Sequence, residues 1–227
     1  MNRELFVNVT STEINIALCE DKVLAELNRE VAHTGFAVGD IYLGKVRKIM
    51  PGLNAAFVNI GHEKDAFIHY LDLGGQFRSL QKVVDSRQPG KRGVKVETMK
   101  LEPATEKNGK IASYLQVGQT VMVQVAKEAI STKGPRLTSD ISLAGRNVVL
   151  VPFSSKIFIS QKIRSTETKK RLRQIAANVL PKNFGVIIRT AAADAHDVDI
   201  EQDILSLIER WNQAVGNIRK NTAPALL

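Results

Sequence analysis

Gly52-Leu53-Asn54-Ala55-Ala56-Phe57-Val58-Asn59-Ile60-Gly61 is a short apolar strand bracketed by glycines. Upstream, the run from Ile41 to Ile49 carries Gly44-Lys45-Val46, and downstream lie Ala66 to Tyr70, Thr120 to Ala126 and Arg136 to Ser142. Short strands bent at Gly44, Gly52, Gly61 and Gly118 are the pattern a small closed β-barrel requires. After Gly118-Gln119, residues Val121, Val123 and Val125 alternate with period two. The same counting in the Phe57 strand turns Val58 and Ile60 inward and leaves Phe57 facing out.

On either side of this barrel the pattern changes. Leu5, Val7 and Val9, then Ile14, Ile16 and Leu18, alternate apolar and polar as half-buried strands do. Ser11-Thr12 supplies one turn and Cys19-Glu20-Asp21-Lys22 a second, leading into Val23 to Leu27, so a three-stranded antiparallel meander is predicted. A sheet this small needs a partner to cover its inner face. After Ser142 the chain mixes strands and helices. Val148 to Pro152 and Gly185 to Ile188 read as buried strands. Between them Leu172, Ile175, Ala176, Val179 and Leu180 recur at helical spacing, with Ser165 as N-cap and Pro181 as the stop. A final helix carries the stripe Ile204, Leu207, Ile208, Trp211, Val215 and Ile218, acidic at its start and basic at its end as the helix dipole favours.

Composition bounds the function. The chain has 227 residues, 44% of them hydrophobic, which suffices for more than one compact unit. No stretch is long and uncharged enough to span a membrane, and Met1-Asn2-Arg3-Glu4 does not open a signal peptide. A single cysteine, Cys19, excludes an internal disulfide and cannot make a structural zinc site alone. A reducing, cytoplasmic location is expected. The net charge of +9 points to a polyanionic partner. Between Arg78 and Lys110 there are nine basic residues against four acidic ones, with Pro89, Gly90, Gly93, Pro103 and Gly109 among them. This stretch, part of an insertion from about 74 to 113, shows no convincing periodicity. It reads as a mobile basic arm reaching a nucleic-acid backbone, or as a solvated loop that touches nothing.

Four residues of the barrel are candidate nucleic-acid contacts. Phe57 and Phe67 can stack on unpaired bases, or can simply belong to the core. Lys127 and Lys133 bracket the turn Glu128-Ala129-Ile130-Ser131-Thr132, where lysines neutralise phosphates without sequence preference. A second candidate site is Arg189-Thr190, at the end of the apolar run Phe184-Gly185-Val186-Ile187-Ile188. A guanidinium binds phosphate bidentately and the neighbouring hydroxyl adds a third hydrogen bond. Asp194-Ala195-His196-Asp197-Val198-Asp199 has the chemistry of a divalent-ion site but also that of an acidic helix N-terminus, the reading preferred here. His33, His62 and His69 lack partners at catalytic spacing.

Gly44-Lys45-Val46, Ala56 to Gly61, Ala66-Phe67-Ile68-His69 and Val117-Gly118-Gln119 together resemble the S1 type of oligonucleotide-binding fold. The order of elements over nearly the whole chain resembles the N-terminal half of the ribonuclease E and G family. The resemblance implies an α+β chain. Residues 1–36 would be the first strands of a split RNase H-like subdomain, 37–139 the S1 barrel with its long insertion, and 140–227 a 5′-sensor subdomain. It also implies that Arg189 and Thr190 bind a 5′-monophosphate, with the backbone around Gly145 and Val149 completing the pocket. The family's magnesium-binding aspartates and its zinc-linking Cys-Pro-x-Cys motif lie downstream of Leu227. Magnesium, and zinc, are therefore expected only for a full-length member, as is endonucleolytic hydrolysis of single-stranded RNA. This chain is expected to bind RNA, to depend on a downstream catalytic domain of the same polypeptide, to hold no metal and to cleave poorly. The apolar ending Ala225-Leu226-Leu227 is taken as an interrupted chain. Two other readings stay open: a stand-alone RNA-binding adaptor without nuclease activity, and a protein-interaction platform with no RNA affinity at low salt.

Overall fold

The alternating N-terminal residues form three antiparallel strands in sequential order: β1 (Arg3–Val9), β2 (Glu13–Glu20) and β3 (Val23–Val31). Asp21 and Lys22 join β2 to β3 with φ of 49° and 70°, the doubly left-handed backbone of a tight hairpin turn. Cross-strand pairs Arg3–Glu20 at 2.9 Å and Arg29–Glu13 at 3.0 Å flank the sheet. Leu5, Phe6, Val7, Leu24 and Leu27 are exposed. This computed structural model describes residues 2–10, 12–31, 36–87, 91–131 and 133–227. Ser11 of the predicted first turn, and His33, lie outside the described residues. The meander belongs to one compact unit, Met1–Ala37, and the rest of the chain, Val38–Leu227, to a second. No helix of the described residues is long and apolar enough to cross a membrane.

In the second unit, β4 (Ile41–Met50), β5 (Ala55–Asn59) and β6 (Ala66–His69) follow one another antiparallel. The chain then leaves the barrel at residue 70 and returns as β7 (Thr120–Lys127) and β8 (Arg136–Thr138). The pairing runs β4-β5-β6-β8-β7, and β7 pairs back onto β4, closing a five-stranded barrel consistent with an S1-like fold. Ala56, Val58, Ile60, Ala66, Ile68, Val121, Val123 and Val125 are buried, as period-two counting predicts. Gly44 sits where a Cβ would lie 2.6 Å from Val58 Cγ1, so the barrel closes at that level only around glycine.

The segment between β6 and β7, of which Gln88, Pro89 and Gly90 lie outside the described residues, corrects the sequence reading: its described residues form neither a mobile arm nor a solvated loop. It opens with helix α1 (Phe77–Ser86), whose residues Phe77, Leu80, Val83 and Val84 are buried, and continues through Val96, Met99, Ile111 and Leu115, also buried. Phe77, Leu80 and Val84 are spaced by three and four, a helical stripe that the density of charge around it obscures. Polar stitches hold the segment down. Asn54 donates to Gly109 O at 3.0 Å and accepts from Ile111 N at 2.7 Å, and Tyr70 donates to Glu106 O. Lys82 pairs with Glu102 at 2.5 Å, and that hydrogen bond holds the carboxyl below its ordinary range. Part of the segment's positive charge is thereby bound within the protein.

The remainder is a four-stranded sheet and two helices: β9 (Leu143–Ala144), β10 (Val148–Pro152), β11 (Ile157–Ile159), α2 (Thr166–Val179), β12 (Phe184–Ile188) and α3 (Asp197–Asn217). Its order is β11-β12-β10-β9, with β11 parallel to β12. Ser165 caps α2 by accepting from Thr168 N, and α2 stops two residues before Pro181. α3 buries Ile204, Leu207, Ile208, Trp211 and Val215. Trp211 meets Phe153 and Phe184 edge-on at 5.7 and 6.5 Å between ring centroids. Barrel, insertion and sheet share one hydrophobic cluster through Leu43, Met122, Val83, Val96, Met99, Leu150 and Trp211. The buried amide of Asn183 donates to Val96 O and Met99 O at 2.8 and 2.9 Å, tying the insertion to the loop before β12. The apolar ending is structured: β13 (Ala225–Leu226) pairs with Leu43 and Tyr42 of β4.

Candidate nucleic-acid interface

Five residues stand directly opposite one another across the barrel. Lys48 of β4 faces Phe57 of β5, which faces Phe67 of β6, which faces Arg136 of β8, which faces Lys127 of β7. Residues in register share one face of a sheet, so this is a continuous basic–aromatic–basic row. The two phenylalanines are half-buried and meet edge to face at 5.9 Å, whereas Lys48, Arg136 and Lys127 are exposed. Phe57 therefore lies outward as predicted, and each ring supports the other in a fixed orientation. Arg136 is tied bidentately to Asp72, Nε to Oδ2 and Nη2 to Oδ1, both at 3.0 Å. Lys48, Lys127 and Lys133 form no ion pair among the described residues. Lys133 closes the turn after β7 by bridging to Ile130, and Lys64 Nζ donates to Ser131 O at 2.6 Å at its tip. Thr132 lies outside the described residues. His69 accepts from Leu71 N and caps a short turn, and His62 Nδ1 accepts from Lys64 N, so both serve local backbone structure.

The second constellation forms at the end of β12. Arg189 N donates to Asn147 O at 2.8 Å, and Arg189 Nη1 donates to Gly145 O at 2.7 Å, clamping the side chain onto the loop between β9 and β10. The remaining guanidinium N–H groups have no protein partner among the described residues. Thr190 Oγ1 lies 3.0 Å from Ser160 Oγ at the end of β11. The loop itself is pinned from behind. Asp203 Oδ2 on α3 accepts from Asn147 N at 2.7 Å and from Val148 N at 3.2 Å, while Gly145 N donates to Val148 O at 2.8 Å. A Cβ on Gly145 would collide with the Asp203 carboxylate, so the loop can approach α3 this closely only with glycine there. Val149 is one strand pair away, opposite Ile187. The structure thus brings Arg189, Thr190, Gly145 and Val149 to one end of one sheet.

The charge around this corner is divided. On the α3 side an open cleft of about 650 Å³ is lined by Asp194, Asp199 and Asp203 together with Arg146 and His196. On the β11 side Lys156, Lys162 and Arg164 are exposed. Of the Asp194–Asp199 stretch, Asp197 and Asp199 lie in the first turn of α3, and Asp197 pairs with Arg171. Among the described residues no group of three or more His, Cys, Asp and Glu is arranged to hold a metal ion. Sequence reasoning missed Lys48, Arg136, Ser160 and Asp203. Each acquires its position from a strand register or a contact tens of residues away, a signal that no local pattern carries.

Residues 142–227 match the family described as the Ribonuclease E/G family. Over 212 residues the chain is 36% identical to ribonuclease G of Haemophilus influenzae, covering 93% of this chain and 40% of that protein. It is 34% identical over 215 residues to ribonuclease G of Escherichia coli, covering 95% and 40% respectively. With ribonuclease E of a Nostoc species the identity is 36% over 191 residues, 84% of this chain and 24% of that protein. The chain spans 40% or less of the length of these relatives.

Proposed function

We propose, from the premise that this chain belongs to the ribonuclease E/G family, that it binds single-stranded RNA along the barrel and reads a 5′-monophosphate at Arg189. The barrel binds by two means: Phe57 and Phe67 of the row stack on bases, and Lys48 and Lys127 of the row, with Lys133 in the turn after β7, neutralise phosphates. At the sheet corner, the guanidinium edge of Arg189 that Gly145 O leaves unused forms a fork for two phosphate oxygens, and the Thr190 hydroxyl donates to the third. The backbone around Gly145 and Val149 completes the pocket beside them. In this reading residues 1–36 begin a split RNase H-like subdomain, 37–139 are the RNA-binding barrel and 140–227 the 5′ sensor.

The observation that carries the reading is the clamp of Arg189 onto Gly145 O, which orients an exposed guanidinium that ordinary surface arginines leave loose. The whole protein is then a magnesium-dependent endoribonuclease acting in the cytoplasm, in RNA decay or ribosomal RNA processing. The described residues offer no ligand set for that metal, and no hydrolytic step is assigned to them. The test uses short oligomers, 5′-phosphorylated or 5′-hydroxyl, titrated into wild-type chain and Arg189→Ala. Wild type should favour the phosphorylated end. Arg189→Ala should lose that preference, about 1.5–3 kcal/mol for a charge-assisted contact, with affinity for long RNA little changed. Equal binding of both oligomers by wild type would refute the sensor.

A further inference from the structure

Along the outer face of the four-stranded sheet, Phe158 of β11, Ile187 of β12, Val149 of β10 and Ala144 of β9 stand opposite one another in register. Phe158 is 54% exposed and Ile187 42%, and Val149 is half-buried. Their strand neighbours Ile157, Ile159, Val186 and Ile188 face the core cluster. Isolated exposed apolar residues are ordinary. A continuous aromatic–aliphatic row across four strands, ending in a phenyl ring, is not.

We propose that Phe158 and Ile187 form a platform for the base of the RNA's first nucleotide, so that the corner accepts a 5′-terminal nucleotide as a unit. This rests on the phosphate reading of Arg189 and Thr190. Ser160, whose hydroxyl meets that of Thr190 at 3.0 Å, follows Phe158 by two residues, and Arg189 follows Ile187 by two in extended backbone, so these two backbone positions fall on the platform's face about 6.6 Å further along the strands. That separation is the reach of one ribose between its 5′-phosphate and its base. Charge selects the direction of approach. Asp194, Asp199 and Asp203 repel a polyanion from the α3 side, while Lys156 and Lys162 flank Phe158 on the other. An RNA whose terminal phosphate sits on Arg189 therefore leaves across Phe158. A phenyl face stacks on any base, with strength following ring area, so the platform prefers a purine to a pyrimidine and either to no base.

The experiment uses the 227-residue chain and four-nucleotide RNAs carrying adenosine, uridine or an abasic ribose at the first position, each with a 5′-monophosphate or a 5′-hydroxyl. Competition binding to wild type should place phosphorylated adenosine about tenfold above phosphorylated abasic RNA, the size of one stacking contact. Phe158→Ala should reduce that ratio to near one while preserving the preference for phosphate over hydroxyl. If wild type prefers phosphate but binds the abasic and adenosine ends alike, the platform is wrong and the phosphate site stands. No phosphate preference at all in wild type removes the reading beneath and the platform with it. If Phe158→Ala fails to fold, wild type still decides. Stacking on the barrel is the same for both ends, so the adenosine-over-abasic ratio must be larger for the phosphorylated than for the hydroxyl RNAs, and an equal ratio overturns the platform.

Discussion

Asp203→Ala is the perturbation that most sharply separates a built phosphate site from a chance arrangement. Asp203 touches no ligand position in the proposed site and acts through the loop it holds. Its Oδ2 accepts from the amides of Asn147 and Val148, residues only 4% and 0% exposed. Removing the acceptor strips two buried N–H groups of a charge-assisted partner, at about 1–3 kcal/mol for each group left unsatisfied, or about 2–6 kcal/mol together. A domain of ordinary stability survives that loss. The loop does not keep its place, however, and the Gly145 carbonyl that orients Arg189 moves with it. Urea unfolding should show the lower midpoint, and paired binding of 5′-phosphorylated and 5′-hydroxyl oligomers should show a preference reduced toward that of Arg189→Ala. Asp203→Asn keeps an oxygen that can accept both amides and should retain most of the preference. The reasoning fails if Asp203→Ala keeps wild-type stability and preference, or if Asn proves as damaging as Ala.

Four further outcomes are expected. Gly145→Ala forces a methyl onto the Asp203 carboxylate and should weaken 5′-phosphate preference in the same direction, measured with the same oligomers. Phe57→Ala and Phe67→Ala should each weaken single-stranded RNA binding by about 1–3 kcal/mol, nearly independently of salt, with the barrel still folded by circular dichroism. Replacing Lys127 and Lys133 together should instead flatten the salt dependence of binding, by about 0.7 in log–log slope for each phosphate no longer neutralised. Preference for the phosphorylated end should grow as pH rises through about 6, where a phosphate monoester gains its second charge, and a flat profile from about pH 5 to 7 would remove the charge-reading argument.

What the sequence disclosed depended on how far each contact reaches along the chain. α3 was legible because Ile204, Leu207, Ile208, Trp211 and Val215 repeat at helical spacing and all face the core. The outward turn of Phe57 followed from its buried neighbours Val58 and Ile60. The partners of Phe57 were not legible. Register slips at Val46/Lys48 and Val125/Lys127 decide that Lys48 and Lys127 join the row, and neither slip has a sequence signature. The insertion was misread because its charges suggested solvent, while its stability rests on Phe77, Leu80, Val83 and Val84 and on partners such as Asn183, more than eighty residues from Val96 and Met99. Arg189-Thr190 stood out by residue type. The clamp to Gly145 and the backing by Asp203 depend on contacts spanning 44 and 56 residues.

A corner formed by Arg189, Thr190 and the Gly145 loop that recognises a 5′-monophosphate responds to that group and to nothing else on the RNA's first nucleotide sugar. The most direct measurement is amide and guanidinium NMR of the isotopically labelled chain, titrated with one four-nucleotide RNA in 5′-phosphorylated and 5′-hydroxyl forms. Both forms should shift resonances near Phe57 and Phe67. Only the phosphorylated form should shift the Gly145 and Thr190 amides and the Arg189 guanidinium, saturating together with a single affinity. Identical shift patterns from the two RNAs, or a phosphate-dependent response centred anywhere else, would contradict the account.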